Sequence, residues 1–109
     1  VFMKANELLN LKLTEGVMPS GDNEISGVYC CDLLSIVMGK APAGAAWVTV
    51  MGNINSVAVA SLTEVGAIIL ADGVKPDENA LKKAEENGIN ILLSSEPIFD
   101  TALKIQKAL

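Results

Sequence analysis

Short apolar runs alternate with helical patterns along nearly the whole chain, and this alternation constrains the fold more than any other feature. The runs are Gly27-Val28-Tyr29-Cys30, Trp47-Val48-Thr49-Val50-Met51, Ala67-Ile68-Ile69-Leu70 and Ile89-Asn90-Ile91-Leu92-Leu93. Unbroken apolarity, in place of an apolar–polar alternation, is what a strand needs when both its faces are buried in a parallel sheet. Strand and helix in turn therefore predict an α/β fold: a mostly parallel sheet of about five strands with helices on both faces, joined by right-handed crossovers. At 109 residues the chain suits a single domain, residues 1–109.

Local punctuation places the remaining elements. Lys4 to about Asn10 reads as a helix, and Leu11 to Thr14 as a short strand ended by Gly16. Residues 17–26 collect Pro, Ser, Gly, Asp and Asn and predict an exposed loop. Asp32 opens a helix with Leu33, Leu34, Val37 and Met38 on its apolar face and Gly39 closing it. Ala41-Pro42-Ala43-Gly44 is a turn. Asn53 to Leu62 would suit a strand through Val57 and Val59. An Asn cap at 53 or 55, the alanines and Gly66 as the C′ residue favour a helix. Residues 76–87 form a helix opened by Pro76 and Asp77, with Glu78–Lys82 and Lys82–Glu86 pairs, and stopped by Gly88. Its glutamates and lysines make a solvated face. Ser94-Ser95-Glu96-Pro97 starts a last helix with Ile98, Ala102, Ile105 and Leu109 turned inward. Val1 and Phe2 stand ahead of Met3, so the opening residues read as a fragment edge.

Composition narrows the chemistry. Half the residues are apolar and 19% are charged, which excludes a disordered chain. No run approaches the ~18 apolar residues of a membrane span, and no basic-then-apolar leader is present. There is no His and no Arg. Without His, triad catalysis, His-ligated zinc and imidazole switching are excluded; without Arg, so is a guanidinium clamp on phosphate. A net charge of −5 argues against nucleic acid as a partner. No G-x-x-x-x-G-K-[ST] string exists, so there is no P-loop. These absences predict a protein that is not an enzyme. Two adjacent cysteines without a leader predict free thiols and a cytoplasmic setting.

In open α/β sheets, ligands sit outside the carboxyl ends of the strands. That edge should gather Cys30-Cys31-Asp32, Gly52-Asn53-Ile54-Asn55, Ala71-Asp72-Gly73-Val74-Lys75 and Ser94-Ser95-Glu96. Asp72, Gly73 and Lys75 are the strongest ligand candidates: a carboxylate for a hydroxyl or ammonium, a permissive backbone, and a cation for phosphate beside a helix start. The competing reading is a tight β–α turn with a solvated lysine. Gly52, Asn53 and Asn55 complete the candidate ligand site, with helix capping as the alternative for the asparagines. Asp32 could coordinate a cation or orient a ligand, but is expected to cap its helix. Cys30 and Cys31, at a helix start that can lower a thiol pKa, are a candidate redox or metal/cluster pair, against simple packing. Trp47 is expected in the core or at a dimer contact.

Several of these segments together resemble the small DRTGG-like domains, which are distantly similar to the N-terminal domain of HPr serine kinase/phosphorylase. They are Gly27-Val28-Tyr29 with Asp32-Leu33-Leu34-Ser35, Trp47-Val48-Thr49-Val50, Asn55-Ser56-Val57-Ala58-Val59-Ala60, Ala67 to Gly73, and Lys75-Pro76-Asp77-Glu78. The resemblance spans roughly residues 3–109. The family's name-giving residues fall on the loops after two successive strands, here Gly52-Asn53 and Ala71-Asp72-Gly73. Gly52 and Gly73 carry over; the Asp-Arg pair does not. The resemblance implies an accessory, regulatory α/β domain that dimerises, of a kind found beside nucleotide-binding CBS modules, phosphotransacetylase or kinase domains. The expected function is a non-catalytic sensor or interaction domain. It would act as a homodimer, binding a small phosphorylated ligand, a nucleotide or a protein partner at the sheet's carboxyl edge. The alternative is a thiol-based redox or metal/cluster protein using Cys30 and Cys31. The sequence leaves the cofactor unknown.

Overall fold

Three strands run apolar on both faces because both are covered. In the computed structural model, which describes residues 2–109, they are β5 (Ala45–Thr49), β6 (Ala67–Leu70) and β7 (Ile91–Leu93). Val1, the first residue ahead of Met3, lies outside the described residues. A fourth parallel strand, β4 (Gly27–Cys30), pairs with β5; an edge strand, β2 (Thr14–Val17), runs antiparallel on β7. The sheet order is β2-β7-β6-β5-β4. A small separate ribbon joins β1 (Met3–Lys4) to β3 (Glu24–Ile25).

The register sorts the side chains by face. Trp47, Ile68 and Ile91 stand side by side across the sheet, and Val48, Ile69 and Leu92 do so on the other face. Strands β4 to β7 advance in one direction, so right-handed crossovers put three helices in a row on the first face. They are α1 (Leu34–Lys40), α2 (Ile54–Thr63) and α3 (Glu78–Asn87), with α2 touching both neighbours. Val37, Val57, Ala80 and Ala84 from these helices pack on Trp47, Ile68 and Ile91. The second face is covered by α4 (Ile98–Ala108) and a 3-10 helix (Ala5–Leu11), through Ile105 and Leu8. The chain thus leaves β6 toward one face and β7 toward the other. Loops that diverge in this way open a crevice between the two strand ends, the usual ligand position in such sheets.

Several expectations are corrected. Leu11 to Thr14 is not a strand: the 3-10 helix continues through Leu11, Lys12 turns the chain at φ 62°, and β2 begins at Thr14. Gly16 lies inside β2, where a Cβ would stand 2.8 Å from the Ile91 carbonyl oxygen. Residues 17–26 are not wholly exposed, because Ile25 is buried in the second core. Asp32 does not cap α1; Leu33 holds that position without a side-chain bond. Of the apolar face expected for α1 only Val37 is buried, while Leu33 and Met38 are exposed, and Gly39 lies within the helix. The α2 terminus falls at Glu64 with φ 60°, not at Gly66. Gly66 instead makes room for Ile25, whose Cδ1 would lie 2.5 Å from an added Cβ. On α3 the ion pair that forms is Lys83–Glu86, exposed and 4.0 Å apart. Trp47 is completely buried, hence core and not a contact surface.

Candidate functional site

The carboxyl edge of the sheet is a laced platform. Residues 71–74 make a tight turn closed by Val74 N–H to the Ala71 carbonyl at 3.1 Å, with Asp72 (φ 58°) and Gly73 (φ 71°) at its centre. Two successive positive φ angles suit an Asp-Gly pair, since Asp tolerates the left-handed region and Gly has no Cβ to oppose it. The turn is tied to the loop after β7: Asp72 N–H donates to the Glu96 carbonyl at 2.8 Å and Gly73 N–H to the Ser94 carbonyl at 2.9 Å. On the other side, Asp77 N–H donates to the Gly52 carbonyl at 2.9 Å. A Cβ on Gly52 would stand 3.1 Å from the Pro76 Cα and 3.2 Å from the Lys75 carbonyl, so glycine is what lets these two loops touch.

The expected site residues therefore divide. Asn53 is the α2 cap, its Oδ1 accepting from the N–H groups of Asn55 at 3.0 Å and Ser56 at 3.2 Å. Asn55 lies exposed in the first turn of α2. Gly52 is a packing residue, and the Asp72 and Gly73 N–H groups are already engaged. Gly73 and Lys75, however, do line a cleft of about 210 Å³ at the diverging ends of β6 and β7, together with Lys12, Thr14, Ser94 and Ser95. Among the described residues no carboxylate lines it. Among the described residues neither Lys12 nor Lys75 joins an ion pair. Ser94 is buried and held by Thr101, hydroxyl to hydroxyl at 2.8 Å, whereas Ser95 is exposed. The lining thus brings Lys12 and Lys75, with the exposed Ser95, beside the apolar Val74 and Leu93, within a chain of net charge −5.

Ser95 lies on the edge expected from sequence, whereas Lys12 and Thr14 carry no local signal that would have singled them out. Lys12 and Thr14 reach the cleft only because β2 pairs with β7, placing Thr14 opposite Leu93. A larger hollow of about 380 Å³ lies at the opposite, amino-terminal edge, lined by Glu24 and Glu64 among others. Its carboxylates make it unsuitable for an anion.

The β4 end is organised differently. Asp32, expected as a helix cap, instead accepts from the Thr49 hydroxyl at 2.6 Å and from Val50 N–H at 3.1 Å, tying the loop after β4 to the end of β5. The Cys31 carbonyl accepts from the Trp47 indole at 2.9 Å. Both cysteines are free; Cys30 is exposed. Loss of part of its water shell, and then the Asp32 carboxylate, push the Cys30 thiol above its ordinary range, opposite to what a reactive thiolate requires. Among the described residues no group of three or more Cys, Asp or Glu side chains comes together to hold a metal ion. No described helix is long and apolar enough to cross a membrane.

No curated protein matches the chain. Its fold is that of a crystal structure of the CBS and DRTGG domains of the regulatory region of Clostridium perfringens pyrophosphatase complexed with activator, diadenosine tetraphosphate. The TM-score is 0.76 at 16% identity, covering 95% of this chain and 46% of that one. This chain thus spans less than half the length of the pyrophosphatase chain. The DRTGG domain family matches residues 35–108, a stretch running from α1 to α4 through Gly52, Gly73 and Lys75. With about two thirds of its length inside that match, the chain belongs to the DRTGG domain family.

Proposed function

We propose that this domain is a non-catalytic, cytoplasmic regulatory module. It binds the phosphoryl group of a small phosphorylated molecule or nucleotide in the cleft between the β6 and β7 loops and works as a homodimer, alone or with a protein partner. The observation that carries this reading is the pair of unpaired lysines, Lys12 and Lys75, lining one carboxylate-free cleft. At about 210 Å³ the cleft is smaller than the ~300–1,000 Å³ of pockets that enclose drug-sized ligands, so it suits a phosphoryl group with the rest of the ligand outside. The nucleotide activator in the pyrophosphatase regulatory region supports a phosphorylated ligand, and its regulatory role supports an accessory one. The expected resemblance to the N-terminal domain of HPr serine kinase/phosphorylase, carried here as part of the proposal, would fit the same accessory place and brings no kinase chemistry.

The lacing of the platform suggests how occupancy is reported. The β6 loop is bonded to the β7 loop through Asp72 and Gly73, and to the β5–α2 loop through Gly52. A ligand bridging Lys12 and Lys75 joins β2 to the same set and stiffens the whole edge. Calorimetry and thermal melting with inorganic phosphate, AMP, ATP, acetyl phosphate and diadenosine tetraphosphate test this. At least one should bind and raise the melting temperature. Lys12→Ala with Lys75→Ala should weaken it tenfold or more, since a charge-assisted contact contributes ~1.5–3 kcal/mol. Added salt should weaken it as well. Silence across the panel, or binding indifferent to both lysines, rejects the reading.

A further inference from the structure

The free end of the sheet is built to receive a strand. β4 pairs with β5 on one side, and no described strand pairs with its outer edge. Its four residues, Gly27-Val28-Tyr29-Cys30, include no charge and no proline, the devices by which exposed edges are kept from pairing. Beside this edge, Val28 and Cys30 form an apolar groove of about 290 Å³ with Phe99, Ala102 and Leu103 of α4. Phe99 is 70% exposed and Leu103 38%. On the sheet's other face α1, the last helix of its row, leaves Leu33, Ile36 and Met38 exposed.

We infer that this face is the homodimer interface, occupied by a second copy whose β4 pairs antiparallel with the first and whose α4 lies antiparallel against its mate. The inference rests on the homodimeric part of the function proposed above and names its surface. Two observations select a second copy as the occupant. The first is area. At these exposures the five large apolar side chains leave roughly 500 Å², counting ~200 Å² for a fully open one. With the β4 edge added, this approaches the ~800 Å² per partner of a standard interface.

The second is charge. Asp100 and Lys107 are both exposed and two helical turns apart on α4, flanking the Phe99–Leu103 seam, with Leu103 near their midpoint. An antiparallel mate brings each Asp100 to the partner's Lys107 on both sides of a two-fold axis, which is the self-complementarity an isologous contact requires.

Light scattering on the full chain after size exclusion tests the assignment. Wild type should show twice the 11.4 kDa of one chain. Leu103→Glu and Phe99→Glu, both at exposed positions, should give folded monomers by circular dichroism. Asp100→Lys should weaken the dimer at least tenfold, and adding Lys107→Asp should restore it, which a general loss of folding would not allow. A short bismaleimide should link wild type and Cys31→Ser into covalent dimers but not Cys30→Ser. A wild-type monomer overturns both the surface and the homodimeric part of the function, while phosphate binding remains a separate readout. A dimer that survives the glutamate variants and ignores the charge swap overturns this surface alone.

Discussion

At the scale of single residues, burial and hydrogen bonding override what residue type suggests. Asp32 stands where a helix cap is expected, and its carboxylate bonds instead to Thr49 and Val50 across the strand ends. Cys30 begins as one of a candidate redox or metal pair, yet partial desolvation and Asp32 both favour its neutral thiol. Its pKa is therefore raised in the folded state above the ordinary value near 9.0. The sign follows directly. Any stability linked to this thiol is full below that ordinary value and falls as pH rises through the folded value. Iodoacetamide should accordingly modify Cys30 at neutral pH no faster than an unstructured thiol, with the rate climbing only at alkaline pH. Rapid alkylation at neutral pH would favour the redox reading.

At the scale of elements, the helices and parallel strands were legible, their ends less so, and the β1–β3 ribbon not at all. β4 and β6 lie where the apolar runs put them, and α3 is bracketed by Asp77 and Gly88 as its punctuation predicts. The ambiguous stretch beginning at Asn53 is a helix because the Asn53 carboxamide caps it; valines at 57 and 59 pack inward from a helix as readily as from a strand. Asn53→Ala should cost about 1 kcal/mol in denaturant unfolding and leave phosphate binding unchanged, since the cap lies outside the cleft. Gly52→Ala should cost more, ~1–3 kcal/mol, because its Cβ meets backbone atoms of the neighbouring loop that cannot move independently. A loss of binding in Asn53→Ala without loss of stability would return that residue to the ligand site. The β2 boundary was not legible, because a four-residue edge strand containing Gly16 acquires its conformation from β7 and not from its own sequence.

At the scale of the whole molecule, one buried amide closes the fold over seventy residues of sequence. Asn90 is fully buried just before β7; its Oδ1 accepts from Ser20 N–H at 2.9 Å, and its Nδ2 donates to the carbonyls of Ser20 at 2.8 Å and Gly66 at 3.0 Å. It joins the loop after β2 to the start of β6. Asn90→Ala strands the Ser20 N–H and leaves the Ser20 and Gly66 carbonyls only their bonds from the Asn23 N–H and Nδ2, and should destabilise by ~2–4 kcal/mol in urea unfolding. A loss under 1 kcal/mol would mean that water replaces the amide.

The sequence by itself determined the α/β class and the parallel direction of the central strands, and it named the sheet edge proposed for a ligand. Each follows from short-range periodicity and from the burial that unbroken apolar runs demand. It also brought Gly73 and Lys75 forward, because a glycine turn before a lysine is a local signal. Only the tertiary structure decided that the Asp72 and Gly73 N–H groups are engaged, that Asn53 is a cap, and that Lys12 and Thr14 complete the cleft. Those outcomes depend on β2 meeting β7 and on which face each helix takes after its strand. Contacts between residues distant in sequence are made by packing, and no window along the chain contains them.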